Sequence, residues 1–174
     1  MHHGSGDRWH PRPAHRPRIV DVGRPTTVAP VETGHSSPSV RWIRDFAARW
    51  HDPDFIRREL RSLLTDDFRR VDHRRLIGVP GEIGPEEYVE QQMSFSEVGA
   101  GRPTIELLGV LATRGDRCVA MRSRIVWPDG AATELITVRT FDAAVKKCAW
   151  LAIFDPDDVT SAVDELERQA SAVS

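Results

Sequence analysis

Apolar residues along this chain follow two periods, and the change from one to the other divides the sequence. In VRWIRDFAARW, residues 40–50, Trp42 or Ile43, Phe46 and Trp50 recur at helical spacing. HDPDFIRRELRSLL then starts a second helix: Asp52 is an N-cap, Pro53 takes the first helical position, and Phe55, Ile56, Leu60, Leu63 and Leu64 form its buried stripe. A strand follows in LLTDDFRRVDHRRLIG, residues 63–78. GVPGEIG reads as a loop, and PEEYVEQQMSFSEV as a helix whose proline and two glutamates suit a helix N-terminus. The period then becomes two. TIELLGVLAT, RCVAMRSRIVW, ATELITVRTF and KKCAWLAIF are strands separated by RGD, PDG and DAAV, connections short enough for hairpins, so they predict an antiparallel meander. DPDDVTSAVDELERQ closes the chain as a helix with Val159, Val163 and Leu166 on one stripe. The predicted order is helix, helix, strand, helix, four strands, helix: an α+β fold with helices on one face of a curved antiparallel sheet.

The first strand breaks its own pattern. Phe68, Arg70, Asp72 and Arg74 fall on one face, and Arg69, Val71, His73 and Arg75 on the other, so neither is cleanly apolar. Such a strand is either a wet edge or has one face looking into a cavity where a carboxylate has a use. Asp72 and His73 point to opposite faces and form no dyad without a bulge. A carboxylate in an apolar cavity would have its pKa raised by burial, whereas one paired with Arg70 or Arg74 would have it lowered. The mixed face favours the raised value.

Composition narrows the function classes. The 174 residues are 40% apolar and 29% charged with net charge −2, ordinary for one soluble domain and without the basic excess that nucleic-acid binding demands. No run of 18 apolar residues and no signal-peptide pattern is present, so no membrane role is expected and the default compartment is the cytoplasm. Cys118 and Cys148 lie in apolar strand contexts that suit buried thiols, although a bridge between neighbouring strands stays open. Residues 1–39 read as a disordered extension and residues 40–170 as the domain. Residues 1–40 hold six of the twelve prolines, five of the seven histidines and five arginines without periodicity. Its histidines fix no metal geometry, and the domain proper has two histidines and no ligand-spaced pair; neither metal nor cofactor is expected.

The element order, together with LLTDDF, with VDHR followed by GPEEYVEQ, and with LAIFDPDDVTSAVDEL, resembles the nuclear transport factor 2-like, or SnoaL-like, superfamily of cone-shaped α+β domains across roughly residues 41–168. In its ketosteroid isomerase branch a carboxylate near the end of the first strand moves a proton and two acidic hydroxyls hold the enolate oxygen. The resemblance puts Asp72 at the base, and Thr137 near the position of a protonated aspartate. Phe46, Ala48 and Trp50 stand where a tyrosine would be needed, which departs from that site. The resemblance also turns Trp150 and Phe154 toward the cavity, against a plain reading as core. Tyr88 and Gln92, one helical turn apart, can present a hydroxyl and an amide to a ligand, and Trp127, Met121, Ile125 and Leu135 are core or pocket wall. Arg122 and Arg124 form an exposed row on the outer face. Three functions follow: a domain binding a small apolar ligand and dimerising through the open face of its sheet; a cofactor-free isomerase, cyclase or hydrolase using Asp72 for proton transfer; or a structural dimerisation domain with a filled cone.

Overall fold

The computed structural model describes residues 37–75, 81–97 and 101–173. The expected N-terminal extension lies, but for its last residues, outside the described residues, as does the end of the first strand's predicted span. Helix α1 (Pro38–Arg49) begins two residues before the expected boundary, because the Ser37 hydroxyl accepts the Val40 N–H at 3.3 Å and caps it. Val40, Ile43, Phe46 and Ala47 form its buried stripe. Trp42 stacks on Phe46 with centroids 5.0 Å apart and meets Phe141 edge-on at 4.9 Å. Asp52 caps α2 (Pro53–Arg58) by accepting the Asp54 N–H at 2.9 Å. The predicted second helix is thus one short helix followed by a 3₁₀ turn at Leu60–Leu63 that delivers the chain into the sheet.

The sheet holds β1 (Leu64–Asp72), β2 (Glu82–Ile83), β3 (Thr104–Arg114), β4 (Cys118–Val126), β5 (Ala132–Phe141) and β6 (Cys148–Phe154), in spatial order β2-β1-β6-β5-β4-β3. The β3–β6 meander is antiparallel as expected. The sheet as a whole is mixed, because β1 pairs parallel to β6; β1 and β6 lie at opposite ends of the domain's sequence, so no hairpin fixes their direction. The short β2 falls inside the predicted loop and pairs with β1 through Arg70 and Val71. Gly130, at φ +87°, takes the left-handed position in the turn between β4 and β5. Helix α3 (Pro85–Glu97) joins α1 and α2 over the concave face.

Two apolar layers result. On the concave side Phe46, Phe55, Leu60, Phe68, Val119, Met121 and Phe141 pack under α1–α3. On the other face Cys118, Ala120, Ile136, Val138, Ala152 and Phe154 pack against Ala162 and Leu166 of α4 (Val159–Ala172). The helices therefore occupy both faces, not one: α4 contacts β3, β4, β5 and β6 from outside. The two cysteines are buried free thiols, one in each layer, which rules out a bridge between them. No helix among the described residues is long and apolar enough to cross a membrane.

Candidate functional site

Strand pairing sets the concave face out in rows. Arg70 of β1, Leu151 of β6, Arg139 of β5 and Val119 of β4 are successive partners across the sheet. The next row is Asp72, Ile153, Thr137 and Met121, and beyond it Leu135 pairs with Ser123. Burial along β4 relaxes from 0% exposed at Val119 to 5% at Ser123 and to half-buried at Ile125, so the cone narrows toward the Arg139 row and opens toward Trp127. Between this face and α1 and α3 lies a cavity of about 310 Å³. That is the lower end of the range for small-molecule sites, about 300–1,000 Å³. Its wall combines apolar side chains such as Trp50, Ile105, Ile125 and Trp127 with four arginines, Arg70, Arg74, Arg102 and Arg139.

Asp72 sits behind two of them, its side chain 2% exposed. Its Oδ1 accepts the Arg74 backbone N–H at 3.2 Å and Nε at 2.9 Å; its Oδ2 accepts Arg74 Nη2 at 2.7 Å and Arg70 Nη2 at 2.5 Å. An ionised carboxylate offers about four lone-pair sites, and each oxygen here already has two donors. Burial pushes the Asp72 carboxyl up, but the hydrogen bonds and charge of Arg74, helped by the charge of Arg70, outweigh it and hold the group below the usual carboxylate range. The expected raised pKa is therefore wrong in sign. Arg102 donates Nε to the Trp50 carbonyl at 3.0 Å and Nη1 to the Gln92 carbonyl at 2.6 Å, tying the end of α1 to α3 across the cavity wall. Arg139 is 8% exposed, lies with its guanidinium carbon 5.3 Å from the Phe46 ring centroid, and has no carboxylate among the described residues within 4 Å.

No family model matches the sequence, and no curated protein does. Solved structures do resemble its fold. An NTF2-like protein of unknown function from Mesorhizobium loti superposes with a TM-score of 0.50 at 12% identity, covering 67% of this chain and 89% of that one. A hypothetical protein with a ketosteroid isomerase-like fold from Catenulispora acidiphila, in complex with trimethylamine, gives 0.51 at 14% identity over 73% and 93%. An LEH-like epoxide hydrolase of M. tuberculosis gives 0.50 at 15% identity over 78% and 89%. The fold is that of the NTF2-like superfamily. At these identities the likeness concerns the fold alone.

Within this NTF2-like cone most of the predicted site residues meet. Tyr88, Gln92, Trp127 and Thr137 all line the cavity, with Ile125 and Leu135. Tyr88 is 5% exposed and packs on Phe68 with ring centroids 5.3 Å apart. Burial raises its pKa, partly offset by the charges of Arg139, Arg70 and Arg102, so it is a neutral phenol. Met121 belongs to the core beside the cavity. Trp150 and Phe154 are a correction: they point to the outer face and pack in the α4 layer, while Leu151 and Ile153 supply β6's part of the cavity wall. His73 is exposed and stacks on Phe154 at 4.6 Å, on the opposite face from Asp72. Arg122 and Arg124 lie on the outer face as expected, Arg124 between Glu106 and Glu134. The residues missed are Arg139 and Arg102. A signal existed for the first, since VRTF places an arginine in phase with Leu135 and Thr137 on an otherwise buried strand; Arg102 follows the sequence VGAG, which has no periodicity to place it.

Proposed function

We propose that the domain is a binding module that holds a small, largely apolar molecule in its cone. The observation that carries this is the 310 Å³ cavity itself, which leaves the cone unfilled and surrounds its space with aromatic and aliphatic walls. The buried ion cluster supports binding over proton transfer. A base must have a free lone pair within reach of the proton it takes, and both Asp72 oxygens are engaged by Arg70 and Arg74. Asp72 is in this reading a positioning residue that holds two arginines against the cavity. The reading is tested with the neutral probe 2-naphthamide, followed through the fluorescence of Trp50 and Trp127 in the wall. Saturable quenching is expected for the wild-type chain, and its loss in Ser123→Trp, which fills the cavity, provided that variant still unfolds cooperatively. Quenching that never saturates, or that survives in the filled variant, overturns it.

A further inference from the structure

The row of Arg70, Leu151 and Arg139 at the narrow end of the cone is the least satisfied polar group of the cavity wall. The Nε atoms of Arg70 and Arg139 are both buried and without a hydrogen-bond partner. Arg70 has other partners, Asp72 and the Gln91 side-chain oxygen at 3.2 Å. Arg139 has no ion-pair partner among the described residues, though it is more than nine-tenths buried. Its neighbours do not balance its charge. Burial pushes the Cys148 thiol up to about 11 despite the nearby Arg139, and burial likewise keeps Tyr88 a neutral phenol. Contact with the Phe46 ring offsets only part of the desolvation of a guanidinium. Buried charges in proteins are paired, and this one faces a space that a ligand can enter.

Resting on the reading of the cone as a ligand site, we propose that the ligand is an organic acid carrying one carboxylate on an apolar body. The carboxylate is received by Arg139 at the narrow end, beside Arg70, and the apolar body lies toward Ile125 and Trp127. Arg139, buried without a counter-charge among the described residues, matches a negative charge, and its planar fork of donors suits a carboxylate. A phosphate dianion fits less well, because the rest of the wall is largely apolar and Arg70 and Arg74 already share Asp72.

The test compares 2-naphthoate with 2-naphthamide, two probes of the same shape that differ in charge, by the same tryptophan quenching on the full chain. Naphthoate is expected to bind about tenfold or more tightly than the amide, the usual worth of a charged hydrogen-bonded pair. Arg139→Met should remove that preference while keeping amide binding, Arg139→Lys should restore part of it, and the thermal midpoint of Arg139→Met without probe should equal or exceed that of wild type. If the amide binds as tightly as naphthoate, the acid assignment is overturned and the cone remains a neutral-ligand site; if the preference persists in Arg139→Met, Arg139 does not receive the carboxylate and the assignment is overturned. If neither probe binds wild type, the binding reading itself fails and the assignment with it. If Arg139→Met loses its cooperative transition, Arg139 serves the fold, and the assignment falls unless wild type and Arg139→Lys both still prefer naphthoate.

Discussion

Asp72 contributes to stability through charge, and the sign of its pKa shift fixes how. With its folded pKa below the unfolded value of about 3.9, its contribution is present above that value and is lost as pH falls through the folded pKa. Asp72→Asn leaves Arg70 and Arg74, with side chains 14% and 16% exposed, without their common carboxylate. Removing one partner of a buried pair costs about 3–5 kcal/mol; the partial exposure of the arginines puts the expectation below that range, at about 2–3 kcal/mol at pH 7. Urea denaturation of both chains at pH 7 and pH 3.5 checks this: the gap should be wide at pH 7 and narrower at pH 3.5. A variant as stable as wild type at pH 7 contradicts it. The alternation of the first strand was enough to place Asp72 on the concave face with Arg70 and Arg74. The sign of its shift was not legible, because it depends on which rotamers bring two guanidiniums onto one carboxylate, and spacing does not encode that.

At the level of elements, Arg102 is the cross-tie between α1 and α3, satisfying the carbonyls of Trp50 and Gln92 from one guanidinium. Arg102→Met strands both carbonyls and should destabilise the domain by about 2–3 kcal/mol. It should also raise amide exchange in α3 more than in β4 or β5, since the tie holds that helix and not the meander. Uniform exchange across α3 and the meander would show that Arg102 is not a local tie. Leu166, fully buried between α4 and the sheet, should cost about 2–5 kcal/mol as Leu166→Ala, measured by urea denaturation; a loss under 1 kcal/mol would mean that α4 is not packed there. The helices and the meander were legible because their periods are clean and their caps and turns are local chemistry. What escaped was parity and partnership. In KKCAWLAIF both faces are apolar, Trp150, Ala152 and Phe154 on one and Leu151 and Ile153 on the other, so alternation cannot say which faces the cavity, and Trp150 and Phe154 face the opposite way from the one expected. The parallel pairing of β1 with β6, and the two-residue β2, are long-range choices that no local pattern announces.

For the molecule as a whole, the surface expected to pair with a second copy is already occupied. Ile136, Val138, Ala152 and Phe154, the apolar outer face of the sheet, are 0–3% exposed under α4 of the same chain. What lies outside α4 on the sheet is polar and internally matched: Arg122 donates to the Pro156 carbonyl at 3.0 Å, and Arg124 is shared by Glu106 and Glu134. Leu108, 41% exposed, is the one large apolar side chain classed as exposed among the described residues. A stable interface removes about 800 Å² per partner from water. To do so here it would have to desolvate those ion pairs, at a cost that attraction across the interface repays only with excellent geometry. The expected state is a monomer with a mass near 19.6 kDa by light scattering at tens of micromolar. Ending the chain at Pro156 removes α4 and opens the apolar face, so that variant should associate or fail to fold. A dimeric mass for the full chain that withstands Leu108→Lys and high salt would place the interface on a surface that this reasoning has excluded, and would overturn it.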